Sequence, residues 1–530
     1  MTDSHKTHPL QQARLHIGAG LVHLFHALGA IRSELVQEYQ LFPAAARQLR
    51  RPDVHRNVIM DVMLMFLISI AMAGFCISRD GGLDLYMSAF LPMLGVTTVF
   101  FLFTEAFHSS RSICLAVTFL ILTGVAIQII LMLSAGYSED LSADKLVLFA
   151  VVSILFALAV LPILIYLSGS HPKRSNVIIF LNIATVLLYL ALLVFGRTVN
   201  STRAWIVVGS FQFQMTEPIK VVSLITLALC FRNEDKPYDK RLLSALITLA
   251  INGCFLLVIN ELGTLCVLGI TFFCLGLFYQ PSVRKLLGIV ALLFAAAALV
   301  LMICGKCYDI KNPPVEETTI ETTVETIQES VEATEAPAET DEEPSMADKV
   351  VSLGAKIYNK FKLRFDLLLD PDSVDPNNGG YQNRKAQESL ILSNWFGSAV
   401  EVYIPVAESD YVFCYLILKM GVCFGITVLA LMILILFQGI IGGMANTTGA
   451  EGAVAVAFVL AMVIQSLLAA ASATGYFITI GLPFAFLADG GSAILTNYTM
   501  VIFILYATRQ ITLRCHQAMA AQAPIHRKER

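Results

Sequence analysis

The sequence predicts an all-α, polytopic membrane protein, and three observations carry that reading. Of the 530 residues, 56% are hydrophobic and only 14% carry charge, too little polar surface for a soluble fold. Apolar runs of spanning length recur along the chain. Lys and Arg collect between alternate runs, the asymmetry of a chain threaded through a bilayer.

In chain order the runs lie at 58–77, 85–103, 113–133, 146–167, 177–195, 211–231, 242–258, 262–278, 286–304, 411–437, 454–471 and 494–506, about twelve spans by the length rule. Lys6, Arg14, Arg32, Arg47, Arg50, Arg51 and Arg56 precede the first run, and Arg514, Arg527, Lys528 and Arg530 follow the last. Both ends are therefore expected in the cytoplasm. Arg111, Lys173 with Arg174, the four cations of 232–241, and Arg284 with Lys285 fall on the same side. The opposite loops before residue 286 hold only Arg79, Lys145, Arg197 and Arg203. An even number of spans then places 305–410 outside.

The expected organisation is a cytoplasmic segment (1–56), amino-terminal membrane helices (57–195), a membrane core in two parts (196–304 and 411–508) separated by a large extracytoplasmic loop (305–410), and a cytoplasmic tail (509–530). The first 56 residues show no continuous apolar stretch with a small-residue cleavage site, so no cleavable signal peptide is expected. Residues 17–31 suit an amphipathic surface helix instead.

From Glu316 to Asp348 there are twelve acidic residues and no cation, interleaved with Thr, Ala and Pro. This composition predicts an acidic disordered linker over 315–348. It masks the charge of the rest, because the whole chain carries −4 and the remainder +8 once those twelve are set aside. A basic remainder suits contact with anionic membrane lipids. Beyond the linker, Val350, Val351, Ile357, Phe361 and Phe365 alternate with Lys349, Lys356, Lys360, Lys362 and Arg364. That spacing predicts an amphipathic helix on the outer membrane surface, serving either as a lipid anchor alone or also in holding a substrate. Most of the 11 cysteines lie inside spans as small core residues. Cys304-Gly305-Lys306-Cys307 can close a tight disulfide, but without a second pair or histidines it does not make a metal site.

Chemistry concentrates at the seam between the loop and the next span, where Asp410 stands in Tyr403-Ile404-Pro405-Val406-Ala407-Glu408-Ser409-Asp410-Tyr411-Val412-Phe413. An ionisable residue at a membrane boundary is a functional candidate by default. The run resembles Tyr-Leu-Pro-Glu-Ala-His-Thr-Asp-Phe-Ile-Phe of the SEDS glycosyltransferases (FtsW, RodA, SpoVE). Further resemblances follow in order over 196–506. Asn200-Ser201-Thr202-Arg203-Ala204-Trp205-Ile206 and Phe213-Gln214-Met215-Thr216-Glu217-Pro218-Ile219-Lys220 resemble Asn-Gly-Ser-Arg-x-Trp-Ile and Phe-x-Gln-Pro-Ser-Glu-x-x-Lys. Glu261-Leu262-Gly263-Thr264 stands where the family has Pro-Asp-Leu-Gly-Thr, and Arg364, Asp370-Pro371 and Gly380-Tyr381-Gln382 resemble its loop motifs. Gln465, Thr474-Gly475, Gly481-Leu482-Pro483-Phe484 and Gly490-Gly491-Ser492 complete the set.

The chain also departs from the pattern. The glycine-rich stretch before the aspartate is shortened to Trp395-Phe396-Gly397-Ser398, the paired glutamates after it are Leu418-Lys419, and Ala469, Ala485 and Ala488-Asp489 replace an Asn, a Pro and a Ser-Tyr. About two extra amino-terminal spans precede the family's ten, so the chain resembles a divergent member.

The resemblance implies a peptidoglycan glycosyltransferase that polymerises lipid II, an undecaprenyl-pyrophosphate disaccharide-peptide, with inversion at the outer face of the bacterial cytoplasmic membrane, for elongation, division or sporulation. It implies Asp410 as the catalytic residue, which fits one carboxylate removing a proton from an attacking sugar hydroxyl. Arg203, Arg364 and Lys362 are the expected ligands of pyrophosphate, with Glu261 a further substrate-binding residue. Glu217 and Lys220, three apart on one helix face, are expected to pair within the bilayer. No protein metal site is expected, although a divalent cation, Mg or Mn, is compatible with a pyrophosphate substrate. The implied partners are lipid II, membrane lipids and a class B penicillin-binding protein; Gly421 and Gly425, four apart on one helix face, suit close packing within the chain's own bundle or against that partner's helix, and nothing points to nucleic acid. The competing readings are a non-catalytic division or shape scaffold and a lipid-linked precursor flippase. A flippase would place charge at mid-membrane between repeats, whereas the charged motifs here cluster toward the outer ends and no internal repeat is evident.

Overall fold

The computed structural model describes Leu64, Leu67 and residues 83–522, apart from 108, 135–136, 138–142, 170–173, 200–201, 209–210, 312–345, 371–373, 375–379 and 447–448. The first predicted span apart from Leu64 and Leu67, the amphipathic segment at 17–31 and the acidic linker as far as 345 lie outside the described residues; residues 346–348, expected in the linker, instead open a helix. The chain divides into a unit of 65–514 and a unit of 1–64 with 515–530. Of the second, only Leu64 and helical residues 515–522 are described.

Four helices come first: α1 (Leu83–Ala106), α2 (Arg111–Leu133), α3 (Ala143–Ser168) and α4 (Arg174–Phe195). A three-stranded antiparallel sheet follows, β1 (Arg197–Val199), β2 (Thr202–Val208) and β3 (Phe211–Gln214). Then come α5 (Thr216–Phe231), α6 (Tyr238–Val258), α7 (Leu262–Tyr279), α8 (Val283–Lys311), α9 (Met346–Leu369), α10 (Tyr381–Ile391), α11 (Val412–Met420), α12 (Val422–Ala445), α13 (Glu451–Ala473) and α14 (Gly491–Gln522). Among the described residues ten helices are long and apolar enough to cross a membrane: α1 to α4, α6 to α8, and α12 to α14.

Two predicted spans are corrected. The run at 211–231 divides, because Phe211–Gln214 pairs with β2, Val208 opposite Phe211 and Trp205 opposite Gln214. Pro218, which lacks an amide hydrogen, fits the first turn of the helix that follows. The 16 residues of α5 reach about 24 Å, and most of them are buried, so this short helix sits among its neighbours.

The run at 411–437 also divides. Gly421 takes φ +99° between α11 and α12, and a Cβ there would collide with the Trp395 carbonyl. Only glycine meets both demands. The break lets Val422 and Cys423 donate their amides to the Asn394 and Trp395 carbonyls, at 3.1 and 3.2 Å. Gly425 packs against Ile417, whose Cγ1 would lie 2.9 Å from an added Cβ. The glycine pair, open in the sequence to a partner helix or to close packing within its own bundle, is thus engaged within its own chain.

The bundle is centred on α2, α5, α13 and α14, buried over most of the span, while α8 is largely exposed. α12 comes close to α13 because Gly439 faces Val459 and Gly443 faces Gly452, small residues letting backbones approach where lipid supplies no hydrophobic drive. Across the centre, Lys220 donates to both Glu217 carboxylate oxygens at 2.8 Å and to Gln465 Oε1 at 2.6 Å. Thr496 donates to Glu217 Oε2 at 2.8 Å, and Gln465 Nε2 to the Pro483 carbonyl at 2.9 Å. One polar cluster thus ties α5, α13 and α14 to the loop that follows α13.

Candidate functional site

Asp410 lies in a turn that runs from Pro405 to Tyr411. Ala407 donates its amide to the Ile404 carbonyl at 3.2 Å, and Ser409 and Tyr411 donate theirs to the Val406 carbonyl at 3.2 and 3.3 Å. Val406 takes φ +58°, a left-handed conformation that costs a β-branched residue about 1–3 kcal/mol. Asn260 and Phe486 are the other non-glycine residues described with positive φ, +64° and +68°. One precedes Glu261, and the other lies in the 481–490 loop facing Asp410. Such strain collects where surrounding structure dictates the backbone. The loop comes so near that a Cβ on Gly481 would lie 2.8 Å from Asp410 Oδ2, and the Asp489 amide donates to the Glu408 carbonyl at 2.8 Å.

The Asp410 carboxyl is pushed up to about 6, first by burial and then by the Glu408 charge, against the opposing pull of the Ser409 hydroxyl and Arg364. Arg364 comes from α9. Burial depresses its pKa, while the charges of Glu261 and Asp410 act in the opposite direction. Its Nη1 is buried and has no hydrogen-bond partner, and a donor in that state loses a hydrogen bond it would make in water. One turn earlier, Lys360 donates to the Asn260 carbonyl at 2.8 Å and to Thr202 Oγ1 at 3.2 Å. Its ammonium is pushed down to about 8 by burial and by Arg364, Glu261 opposing. Glu261, buried just before α7, is pushed up to about 7 by burial, with Lys360 pulling the other way. Two cations and two carboxylates therefore converge from the 405–411 turn, α9 and the approach to α7.

Of the residues singled out in the sequence, Asp410, Arg364 and Glu261 come together in this way. Lys362 does not join them: it is exposed and lies over the Tyr308 ring, 5.9 Å from its centroid. Lys360, absent from the expected site, takes the position beside Glu261. Residues four apart share a helix face and residues two apart do not, so α9 can present 360 with 364 or present 362, and its packing decides. Arg203 is exposed on β2, its Nε donating to the Gly196 carbonyl at 3.0 Å and its amide to the Ile259 carbonyl at 3.2 Å. Glu217 and Lys220 pair inside the bundle. Among the described residues no group of three or more His, Cys, Asp or Glu could hold a metal ion, so a divalent cation would need oxygens from a phosphate ligand.

The family model FtsW/RodA/SpoVE, described as "Cell cycle protein", matches residues 111–312 and 346–512. The chain belongs to this family. The match opens at the first residue of α2, so α2, α3 and α4 lie within it, well before the point where the motif resemblance begins. Together with ten membrane-length helices, family membership makes this a multi-pass protein of the bacterial cytoplasmic membrane. It is 27% identical over 167 residues to a protein of Synechocystis sp. named "Probable peptidoglycan glycosyltransferase FtsW", covering 30% of this chain and 42% of that one. It is 30% identical over 112 residues to a protein of Coxiella burnetii of the same name, covering 21% and 30%. The matched stretches thus span less than half of either relative. A solved chain from a study of polymerization and crosslinking by a peptidoglycan synthase complex superposes with a TM-score of 0.52 at 18% identity, over 76% of this chain and 98% of that one. That likeness shows a common fold.

Proposed function

We propose that this protein polymerises lipid II into glycan strands at the outer face of the cytoplasmic membrane, with Asp410 as the general base. The observation that carries the reading is the junction of a carboxyl poised at about 6 with an arginine that has a buried, unpartnered donor. The acceptor sugar hydroxyl attacks the anomeric carbon of the donor, its proton passes to Asp410, and the bond to pyrophosphate breaks with inversion. Above about pH 6 the Asp410 carboxyl is mostly ionised and able to accept that proton. Pyrophosphate leaves without protonation and needs charge stabilisation instead. Arg364 and Lys360 supply it, the guanidinium matching two phosphate oxygens with its fork of donors. Arg203 and Lys362 are exposed and are assigned to the lipid-linked substrate's approach.

The curated relatives' names support the activity. The solved chain's origin in a synthase complex supports pairing with a class B penicillin-binding protein. The test is polymerisation of lipid-linked disaccharide by purified protein in liposomes. Asp410→Asn should lower the rate about 10²- to 10⁴-fold with insertion unchanged, and Lys360→Met should weaken substrate use more than Lys362→Met. An Asp410→Asn protein that makes full-length glycan would exclude Asp410 as the base, whereas wild-type protein that makes none would favour the scaffold or flippase.

A further inference from the structure

From the same geometry we infer that Tyr137, in the turn after α2, and Gln128, within α2, are positioning residues that hold the 404–410 segment in its reactive form. The inference rests on Asp410 being the base. Tyr137 closes a two-way hydrogen bond with a single backbone residue: its hydroxyl donates to the Ile404 carbonyl at 2.9 Å and accepts the Ile404 amide at 2.6 Å. Its ring lies 5.0 Å from that of Tyr403 and 5.9 Å from that of Tyr415, whose hydroxyl meets Ser134 Oγ at 2.7 Å. Burial pushes the Tyr137 hydroxyl up to about 12, so it keeps its proton throughout the neutral range.

Gln128 fixes the segment again four residues on. Its Nε2 donates to the Glu408 carbonyl at 3.0 Å and to the Leu487 carbonyl at 2.9 Å, joining the two loops that meet where Asp410 Oδ2 faces Gly481. One helical turn before Gln128, Gly124 lets α2 approach: a Cβ there would collide with the Phe486 carbonyl. The two strained residues of these loops, Val406 and Phe486, are each within two residues of an anchor from α2. A turn held at Ile404 and Glu408 cannot relax Val406 without breaking one of those anchors, and Asp410 is only two residues past the second. None of these side chains touches the reacting groups, so the role is one of placement. Misplacing a catalytic group by an ångström can cost about 10²-fold in rate.

The test compares Tyr137→Phe and Gln128→Met, which keep size and remove the hydrogen bonds, in full-length protein in liposomes with lipid-linked disaccharide. The clamp predicts a fall in kcat of about 10- to 100-fold with KM for the lipid little changed, in protein that stays folded at the assay temperature although the backbone groups left unpaired lower its unfolding midpoint. It also predicts that the acid limb of the pH–rate profile moves from about 6 toward the ordinary carboxylate range. The carboxyl would be less confined among Glu408, Ser409, Tyr411 and Arg364, the polar and charged groups that act on it. Wild-type rates in both variants overturn the proposal, as does a loss of rate that follows lost thermal stability with the acid limb unmoved. Asp410→Asn is measured alongside: activity in that variant removes the reading of the base itself, whereas an inactive Asp410→Asn beside fully active Tyr137→Phe and Gln128→Met removes only the clamp.

Discussion

Asp410, the proposed base, is held where its proton affinity would suit that task, and pH dependence should report it. The carboxylate acts as a base only when ionised, so the rate should fall as pH drops through about 6. Lys360, pushed down to about 8, loses its charge as pH rises past that value, so the rate should fall there too. Arg364 holds the Asp410 pKa down, and Arg364→Gln should shift the acid limb upward while weakening substrate use. Stability runs the other way. A carboxyl whose pKa is raised by folding contributes fully below its ordinary value of 3.8 and loses that contribution as pH rises through about 6. Asp410→Asn, free of that cost, should therefore unfold at a higher temperature than wild type at about pH 8, with the gap closing below about pH 4. A variant less stable than wild type at the higher pH would contradict the assignment of burial as the main cause. At this scale the place of Asp410 at the edge of a membrane run was legible, because a carboxylate at such a seam is conspicuous. Lys360 was not, because composition cannot say which face of a basic helix turns inward.

At the scale of elements, the cluster of Glu217, Lys220, Gln465 and Thr496 shows how the bundle carries charge at its centre. Lys220 and Glu217 are both buried and fully partnered. Lys220→Met should strand the carboxylate and cost about 3–5 kcal/mol, read as a lowered unfolding midpoint of the purified protein. Replacing both, Glu217→Gln with Lys220→Met, should recover part of that loss because no charge is left unpaired. If the double variant is no more stable than Lys220→Met, the ion pair is not what the single change removes. The pairing was readable from the three-residue spacing, which places both side chains on one helix face. Their partners on α13 and α14 were not, since nothing local relates Gln465 or Thr496 to α5. The breaks at 211–214 and Gly421 were hidden for a related reason. Apolar strand and apolar helix look alike over short runs, and a glycine within a hydrophobic stretch reveals its left-handed backbone only once the neighbouring chain is in place.

For the molecule as a whole, the amino-terminal helices belong to the site's framework, because α2 anchors the segment that carries Asp410 although the recognisable motifs begin only after α4. The two parts of the core are joined through α8 and α9, which pack against each other near the acidic stretch. Gly354 lies against Cys307, Gly305 against Tyr358, and the Tyr308 and Tyr358 rings are 5.3 Å apart. Antiparallel contact at these residues brings the end of α8 near the start of α9. Removing residues 316–341 would leave eight residues, 312–315 and 342–345, to join Lys311 to Met346, enough to reach about 27 Å. The deleted stretch is acidic and poor in apolar side chains, a composition that supplies no core. Loop length itself changes closure entropy only slowly. The deletion should therefore leave the unfolding midpoint nearly unchanged and polymerisation within about twofold of wild type. If α9 instead needs that length to bring Arg364 beside Asp410 and Lys360 beside Glu261, the shortened protein will fold normally yet show a raised KM for the lipid substrate. Loss of folding would mean that the acidic stretch packs on the bundle, and the reading of it as a spacer would have to be given up.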